Sequence, residues 1–322
     1  MRSYQVTAYK TVELVEKNRQ PGPEDISGRT LFSLISAGTE VNGCYLNPQG
    51  WDYPISLGYA AVFEVEAVGE HVRGFSRGDL ALCCGAHADL QICHYTGAIR
   101  LPDGMEPKQA LFARMTAISM ATLSRLHVHA GDSVLVVGLG AVGLLAMQAY
   151  ARCGYRVSGM DPDPARADLA ARLSGRPAWT ALPEEAKGQF GLALECSGTQ
   201  QGAMTCCDAL RMGGELSLVG VPWRPTGDVH SYPLLNRIFY QYLTVYSGWE
   251  MNLPARPGRF APDSQLGNME QAIEWIHAGD IRVDGMEKIC SWKELPRLYE
   301  AILNREEKSV SILLDWRDSS AG

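Results

Sequence analysis

A glycine-rich motif that joins a strand to a helix constrains this sequence more than any other feature. The pattern GLGAVG at residues 138–143 follows the apolar run SVLVV and opens a helical pattern. In such a motif the first glycine permits a tight turn, the second lets a phosphate approach the backbone, and the third permits close helix–strand packing. The free N–H groups of the helix start favour an anion. The residues expected to hold a pyrophosphate are Gly138, Gly140, Ala141, Val142 and Gly143.

An acidic residue at the end of the next strand indicates which dinucleotide is bound. Asp161 ends the strand pattern YRVSGMD. A carboxylate at this position accepts hydrogen bonds from the ribose hydroxyls and repels a 2′-phosphate, which favours NAD over NADP. Arg166 leaves alternatives open, because its side chain is long enough to reach a 2′-phosphate, to stack near the adenine or to remain in solvent.

The remaining pattern predicts two domains. With 322 residues the chain is too long for one ordinary domain. Short strand patterns separated by glycine and proline fill residues 1–100, whereas strands and helices alternate from residue 133, which is typical of parallel βαβ units. The sequence therefore predicts an α/β fold with a β-rich first part.

Composition excludes several other classes of protein. A net charge of −7 without a basic run argues against nucleic-acid binding. Residues 133–151 are an uncharged stretch long enough for a membrane span, but their glycines belong to the dinucleotide motif, so we expect no membrane association. The nine cysteines are an odd number and no secretory signal opens the chain, so we expect free thiols and a cytoplasmic location.

A series of segments resembles one family along almost the whole chain. In order they read SAGTE, LGYAAVFEVEAVG, GFSRGD, GDSVLVVGLGAVG, ECSG, GGELSLVGVP and KSVSILLDW, and they resemble the medium-chain alcohol dehydrogenase/reductase superfamily. The resemblance implies a GroES-like, mostly-β catalytic domain (residues 1–116 and 248–322) and a Rossmann doubly wound parallel sheet (residues 117–247). It also implies a homodimer or dimer-based tetramer joined at the edge strand LTVYSG. Further cofactor contacts are implied at Ser197, Gly198, Gly220, Val221 and Lys308.

The zinc ligands of that family have no counterpart in this sequence. The family takes them from a CGTD-like segment, from GHE and from the helix that enters the cofactor domain, and the matching positions here are Ala37, Tyr59 and Arg114. None of these offers the thiolate, imidazole or carboxylate that zinc prefers. The cluster around Cys93 and His94 is a poor alternative, because neighbouring strand residues point to opposite faces. We therefore predict that no zinc is bound.

Without a metal, a side chain has to handle the hydroxyl proton of the substrate. By the resemblance, Thr39 occupies a proton-relay position and Tyr59 replaces a metal ligand, while Glu40 orients these groups or acts as base. Arg114 places a cation beside them, which would lower the pKa of Tyr59 or of the alcohol. Structural roles stay open for each residue: Tyr59 as core packing, Thr39 and Glu40 as turn residues, and Arg114 as an ion-pair partner of Glu40.

Aromatic residues in predicted loops are the candidates for substrate contact. Aromatic faces with a few polar groups suit a ring-shaped hydroxylated molecule, although packing at a dimer or domain interface explains such residues equally well. The candidates are Trp51, Tyr53, Trp223 and Trp249.

These observations favour a zinc-independent, NAD-dependent dehydrogenase of a secondary alcohol. The SAGTE segment, the missing zinc ligands and the terminal LLDW resemble a subgroup with bacteriochlorophyllide hydroxyethyl dehydrogenases and dehydrogenases of sugars or cyclitols in secondary metabolism. We therefore expect a sugar- or cyclitol-like polyol as substrate. Two alternatives remain at this point: a quinone or enoyl reductase of the same fold, and a non-catalytic NAD(H)-binding sensor or scaffold.

Overall fold

The chain folds into two units. The computed structural model describes residues 1–227, 230–259 and 263–318. One unit comprises residues 1–114 together with the chain from residue 285 onward, and the other comprises residues 115–284. The first boundary falls near the expected residue 116, but the chain returns to the first unit at Gly285 and not at residue 248.

The first unit is built mostly of β-strands. A three-stranded sheet has the order β2–β1–β4, and a larger sheet has the order β15–β16–β3–β5–β6–β8 with β7 also paired to β3. Its helical segments are α1 (Pro107–Ala110), α8 (Leu295–Leu303) and a π-helix (Ala37–Tyr45). The strands are β1 (Arg2–Ala8), β2 (Thr11–Glu16), β3 (Asp25–Ile35), β4 (Ile55–Ser56), β5 (Ala61–Val68), β6 (Leu80–Cys83), β7 (Leu90–His94), β8 (Ala98–Arg100), β15 (Glu287–Ser291) and β16 (Ser311–Asp315).

The second unit contains a six-stranded parallel sheet. Its strand order β11–β10–β9–β12–β13–β14 is that of a Rossmann fold. The strands are β9 (Ser133–Val137), β10 (Arg156–Met160), β11 (Ala178–Trp179), β12 (Phe190–Glu195), β13 (Leu210–Leu218) and β14 (Thr244–Ser247). The helices are α3 (Ala141–Arg152), α4 (Pro164–Ser174), α5 (Gln200–Ala209), α6 (Ser231–Tyr240) and α7 (Gln265–His277), and α2 (Phe112–Ser119) spans the boundary between the units. The expected fold class is thereby confirmed.

The side chain of Gln148 explains why the return to the first unit comes late. This residue lies on α3, and its amide oxygen accepts a hydrogen bond from the Arg282 N–H at 2.8 Å. Its amide nitrogen donates to the Arg282 carbonyl at 2.9 Å. The segment after α7 is thus tied to the second unit, beyond the boundary expected at residue 248.

Two helical regions differ from the sequence pattern. Apolar residues recur three and four apart over residues 107–126, a helical pattern, but the chain forms two helices there, α1 and α2. Helix α2 ends where the Ser119 hydroxyl donates to the Thr116 carbonyl at 2.7 Å. Such local side-chain bonds compete with continuation of a helix. Helix α6 was not predicted either; it has no fully buried residue, and its large apolar side chains at Tyr232, Leu235 and Phe239 are exposed.

Aromatic packing fixes the last strand of the first unit in its core. Trp292 and Trp316 stack with ring centres 5.0 Å apart, and Tyr4 lies 6.2 Å from each of them. Trp316 is completely buried directly after β16. This packing aims its indole N–H at β3, beside the candidate site. Among the described residues, no helix has both the length and the apolar character required to cross a lipid bilayer.

Candidate functional site

The glycine-rich loop of the second unit has the geometry that a dinucleotide requires. Gly138 has a φ of +90°, and a Cβ there would lie 2.6 Å from the Ser197 nitrogen. A Cβ on Gly143 would lie 1.9 Å from the Gly138 carbonyl oxygen, so this glycine is needed for packing. A Cβ on Gly140 would meet no atom within 4 Å. Space is therefore open beside Gly140, at the N-terminus of α3, where the first N–H groups belong to Ala141 and Val142.

Asp161 is held in place at the end of β10 by backbone groups. One carboxylate oxygen accepts a hydrogen bond from the Leu139 N–H at 2.7 Å, and the other accepts from the Asp163 N–H at 2.9 Å. Each oxygen keeps a lone pair for a further donor. The guanidinium of Arg166 lies 3.9 Å from this carboxylate and 4.0 Å from that of Asp163. Arg166 thus lies beside both acids, but its Nε donates a hydrogen bond to neither.

The loops after β12 and β13 are joined through Glu195. Its carboxylate accepts hydrogen bonds from the Ser197 and Gly198 N–H groups, both at 2.9 Å, and from the Ser197 hydroxyl. Its carbonyl accepts from the Gly220 N–H at 2.7 Å. Burial raises the pKa of Glu195, and the Ser197 and Gly198 hydrogen bonds act in the opposite direction.

Close backbone contact completes this edge of the sheet. A Cβ on Gly198 would lie 2.6 Å from the Val221 carbonyl, and one on Gly220 would lie 2.3 Å from the Gly198 nitrogen. Val221 is exposed. The structure thus brings together the predicted cofactor residues of the second unit, with an open cradle for a pyrophosphate and a fixed carboxylate for a ribose. These residues fit a nicotinamide dinucleotide.

In the first unit a buried carboxyl group organises the π-helix. Glu40 is 1% exposed, and it accepts hydrogen bonds from the Ser36 N–H at 2.7 Å, from the His87 imidazole at 2.7 Å and from the Tyr299 hydroxyl. Burial raises the pKa of Tyr299, and the neighbouring Glu40 raises it further. The π-helix is a rare element that occurs frequently at functional sites.

The His87 ring is bonded on both nitrogens. Because its Nε2 faces the Glu40 carboxylate, Nε2 carries the proton and Nδ1 accepts from the Ser33 hydroxyl at 2.8 Å. The Ser33 oxygen in turn accepts from the Trp316 indole N–H at 2.9 Å. Because every polar group in this series of hydrogen bonds has a partner, Glu40 anchors the π-helix in the structure. The base and orienting roles expected for Glu40 stay predictions.

A second group of side chains, the hydroxyl cluster of Ser36, Thr39 and Tyr59, lies next to this network. The Tyr59 hydroxyl donates to the Ser36 oxygen at 2.5 Å and is also hydrogen-bonded to the Thr39 side chain. The Arg114 guanidinium lies over the Tyr59 ring, 4.7 Å from its centre. Burial raises the pKa of Tyr59, whereas the Ser36 hydrogen bond, the Arg114 charge and the Thr39 hydrogen bond lower it.

This arrangement provides a proton donor and acceptor beside a cation. Part of the Tyr59 side chain is exposed to solvent, and its role as proton donor stays a prediction. Sequence reasoning missed Ser36, His87 and Tyr299. Ser36 was within reach of it, because it lies one helical turn before Thr39 and a hydroxyl at that spacing shares its face. His87 and Tyr299 gave no local signal.

The residues of the first unit do not fit a catalytic zinc ion. Ala37 is an exposed residue without a donor atom, Tyr59 is bonded to Ser36, and Arg114 is cationic. Over the described ranges, no group of three His, Cys, Asp or Glu side chains is placed to hold a metal.

The remaining predicted residues lie on the surface. Trp51 and Tyr53 are exposed in the loop after the π-helix, and Trp249 is exposed after β14. Trp223 is half-buried in the loop after β13. Lys308 is exposed in the loop before β16. Trp51, Tyr53, Trp223 and Lys308 lie in the units expected for them, whereas Trp249 was expected in the first unit and lies in the second.

Comparisons with known proteins agree with this fold. A family model described as zinc-binding dehydrogenase matches residues 141–262, all in the second unit. The chain is 28% identical over 256 residues to D-guloside 3-dehydrogenase of Shigella flexneri, with 68% of this chain and 73% of the relative covered. It is 26% identical over 249 residues to L-galactonate-5-dehydrogenase of Escherichia coli, with 65% and 73% covered. The solved structure of galactitol-1-phosphate dehydrogenase from Escherichia coli has a TM-score of 0.80 at 18% identity, with 98% of this chain and 100% of that chain covered.

Two glycine substitutions distinguish a glycine that makes room for the cofactor from a glycine that is needed for packing in the dinucleotide loop. We expect Gly140→Ala to weaken NADH binding at least about tenfold, about 1.4 kcal/mol, because the added methyl enters the open cradle. Its thermal stability should stay unchanged, since no protein atom is near. In the matched control Gly143→Ala, the methyl meets the Gly138 carbonyl, and we expect a loss of about 1–3 kcal/mol of stability. Fluorescence titration with NADH and thermal melting measure both effects, and wild-type affinity in Gly140→Ala would contradict the assignment.

Proposed function

Because the chain belongs to the medium-chain dehydrogenase/reductase family, we propose that it is a zinc-independent, NAD-dependent dehydrogenase of a secondary alcohol. It oxidises a sugar- or cyclitol-like polyol, or reduces the corresponding ketone. The observation that carries the proposal is the hydroxyl cluster of Ser36, Thr39 and Tyr59 under the Arg114 cation. The cluster includes the position from which the family otherwise takes a metal ligand.

The proton chemistry follows from the bonds of the cluster. The nicotinamide, when bound, accepts or donates the hydride. In alcohol oxidation the Tyr59 oxygen takes the substrate proton, the Tyr59 proton passes to the Ser36 oxygen to which it is already bonded, and the half-buried Ser36 hydroxyl releases its own proton to water. Arg114 stabilises negative charge that develops on the phenol oxygen. In ketone reduction the same O–H donates to the carbonyl oxygen.

The NAD preference of the proposal is supported by Asp161. Its carboxylate is buried and fixed by two backbone N–H groups, so it cannot turn away from a 2′-phosphate. A phosphate dianion next to a fixed carboxylate is disfavoured electrostatically. Arg166 is already shared between Asp161 and Asp163, which reduces its availability for a phosphate.

The polyol substrate is supported by two observations. The relatives named D-guloside 3-dehydrogenase and L-galactonate-5-dehydrogenase act on sugar-like molecules. Trp51 and Tyr53 also present exposed aromatic faces in the first unit, and such faces pack against the C–H face of a ring whose hydroxyls bond to polar groups.

A homodimer is supported by the surface of the second unit. Strand β14 is at the edge of the sheet, where unpaired backbone groups invite a further strand. Helix α6 exposes large apolar side chains at Tyr232, Leu235 and Phe239, spaced along one stripe. Symmetric pairing covers both features.

Metal analysis tests zinc independence directly. We expect purified, dialysed enzyme to contain far less than one zinc per chain and to keep its activity after treatment with a chelator. The physical reason is that Ala37, Tyr59 and Arg114 cannot supply thiolate, imidazole or carboxylate ligands. Stoichiometric zinc together with chelator-sensitive turnover would rule the proposal out.

Removal of the phenol hydroxyl tests the proton donor. We expect Tyr59→Phe to lower kcat by about 10²–10⁴-fold, because general acid–base help is worth that much. NADH affinity should be unchanged, since the glycine-rich loop belongs to the other unit. The exposed Tyr9 provides the control Tyr9→Phe, for which normal turnover is expected. A Tyr59→Phe enzyme with normal kcat would move the assignment to Thr39 and Arg114.

The pH profile gives an independent readout of the same group. Burial raises the pKa of Tyr59 above its ordinary value of 10.0. The phenol therefore keeps its proton at neutral pH, and the rate of ketone reduction should fall only as the pH rises through that raised pKa. Tyr59→Phe should lack this alkaline limb, whereas an unchanged limb in the variant would assign the titration to another group.

Charge removal tests the cofactor preference. We expect wild-type protein to bind NADH more tightly than NADPH, and Asp161→Asn to reduce the difference by about tenfold or more, which corresponds to about 1.4 kcal/mol. The matched control is Asp163→Asn, since this neighbouring acid caps α4 and an asparagine preserves the cap. Tighter binding of NADPH by the wild-type protein would overturn the assignment.

Charge insertion tests the dimer. Light scattering should show a dimer or tetramer for the wild-type protein at micromolar concentration, and the pair Leu235→Glu and Phe239→Glu should shift it to monomer by placing charge on the α6 stripe. Ile289→Glu is the control, because it adds a charge to an exposed apolar position on another edge strand, β15. A wild-type monomer would refute the proposal.

A further inference from the structure

A cavity in the first unit collects three of the nine cysteines. It encloses about 350 Å³ and is lined by Cys83, Cys84 and Cys93, together with Arg19 and Gln91 among others. None of these residues belongs to the hydroxyl cluster or to the Glu40 network. The proposed reaction therefore leaves the thiols of this cavity without a role.

Two of the thiols are in direct contact. Cys83 ends β6 and is buried in the core of the sheet, and Cys93 lies on β7 and packs against that core. The Cys83 and Cys93 side chains are hydrogen-bonded to each other. Cys84 follows Cys83 directly, but its side chain is exposed.

The two thiols of the pair differ in chemistry. Cys93 is partly exposed at the cavity, and the hydrogen bond from Cys83 lowers its pKa, with help from the Arg19 charge and against burial and Asp25. The same hydrogen bond raises the pKa of the buried Cys83, and burial raises it further. A partly exposed thiol beside a buried one is the arrangement of an attacking and a resolving cysteine.

We propose that Cys83 and Cys93 are a site of reversible oxidation, at which a peroxide that enters the cavity converts the pair to an intramolecular disulfide. The pair is already in contact, so the sulfur atoms have only to close to the S–S distance of about 2.05 Å. The cavity supplies the access for a small oxidant that the buried Cys83 alone lacks.

The reaction balances in two steps. The Cys93 thiolate attacks one peroxide oxygen, the O–O bond breaks, and Cys93 becomes a sulfenic acid while hydroxide leaves and takes up a proton as water. The Cys83 sulfur then attacks the Cys93 sulfur, the S–O bond breaks and a second water leaves. Two thiols are oxidised and one hydrogen peroxide is reduced to two waters. A thiol reductant reverses the change.

Oxidation of the full-length protein with hydrogen peroxide tests the pairing. We expect the oxidised protein to have two fewer titratable thiols than the reduced protein and an intact mass lower by two hydrogen atoms, with both changes reversed by dithiothreitol. Peptide mapping without reductant should join the segment with Cys83 to the segment with Cys93. Cys84→Ser is the matched control, and it should form the same crosslink at the same rate. A crosslink through Cys84, or none, would overturn the proposal.

Trapping of the intermediate tests which thiol attacks first. In Cys83→Ala the resolving thiol is absent, so dimedone should label Cys93 as a sulfenic acid, and in Cys93→Ser no label should appear in the cavity. Label on Cys84 and not on Cys93 would overturn the assigned order. If Cys83→Ala does not fold, the wild-type peptide map and the Cys93→Ser variant still decide whether the two cysteines pair, because the crosslink must vanish in Cys93→Ser. These readouts do not require turnover, so their failure is distinct from failure of the proposed dehydrogenase activity.

Discussion

The buried carboxyl group of Glu40 is the feature around which the first unit is arranged. A carboxyl group removed from water is costly unless hydrogen bonds satisfy it, and here a backbone N–H, an imidazole and a phenol do so. These partners come from the turn before the π-helix, from the loop before β7 and from α8. The requirement to satisfy one side chain thus fixes three separate segments, and the Ser36 backbone that it holds carries the hydroxyl bonded to Tyr59.

In the second unit, close packing of the backbone acts together with two acidic side chains to fix the loops. Its glycines lie where any side chain would overlap the neighbouring loop, as at Gly143 and Gly220. Asp161 and Glu195 each accept hydrogen bonds from backbone N–H groups of an adjacent loop. The loops at the carboxyl edge of the sheet are therefore held before a ligand arrives, which reduces the conformational entropy lost on binding.

The sequence predicted the second unit better than the first for a physical reason. The turn at Gly138 and the position of Asp161 follow from neighbours a few residues away, and the structure places both as expected. The Glu40 network joins residues up to 259 positions apart, so no periodicity or spacing in the sequence predicts Tyr299 as a partner of Glu40. Glu40 was accordingly left as base, orienting group or turn residue, and only the folded chain shows it as an anchor. Helix α6 was not predicted, although its apolar residues recur at helical spacing along an exposed stripe.

The discontinuous first unit has a consequence for synthesis on the ribosome. Ser33 receives its hydrogen bond from Trp316, which is 283 residues further along the chain. The nascent N-terminal strands thus emerge before two partners of this network exist, Tyr299 for Glu40 and Trp316 for Ser33. The whole Rossmann unit is translated in the interval and can fold on its own contacts, since domains fold as units. The first unit can therefore complete its core only after its last strand has left the ribosome.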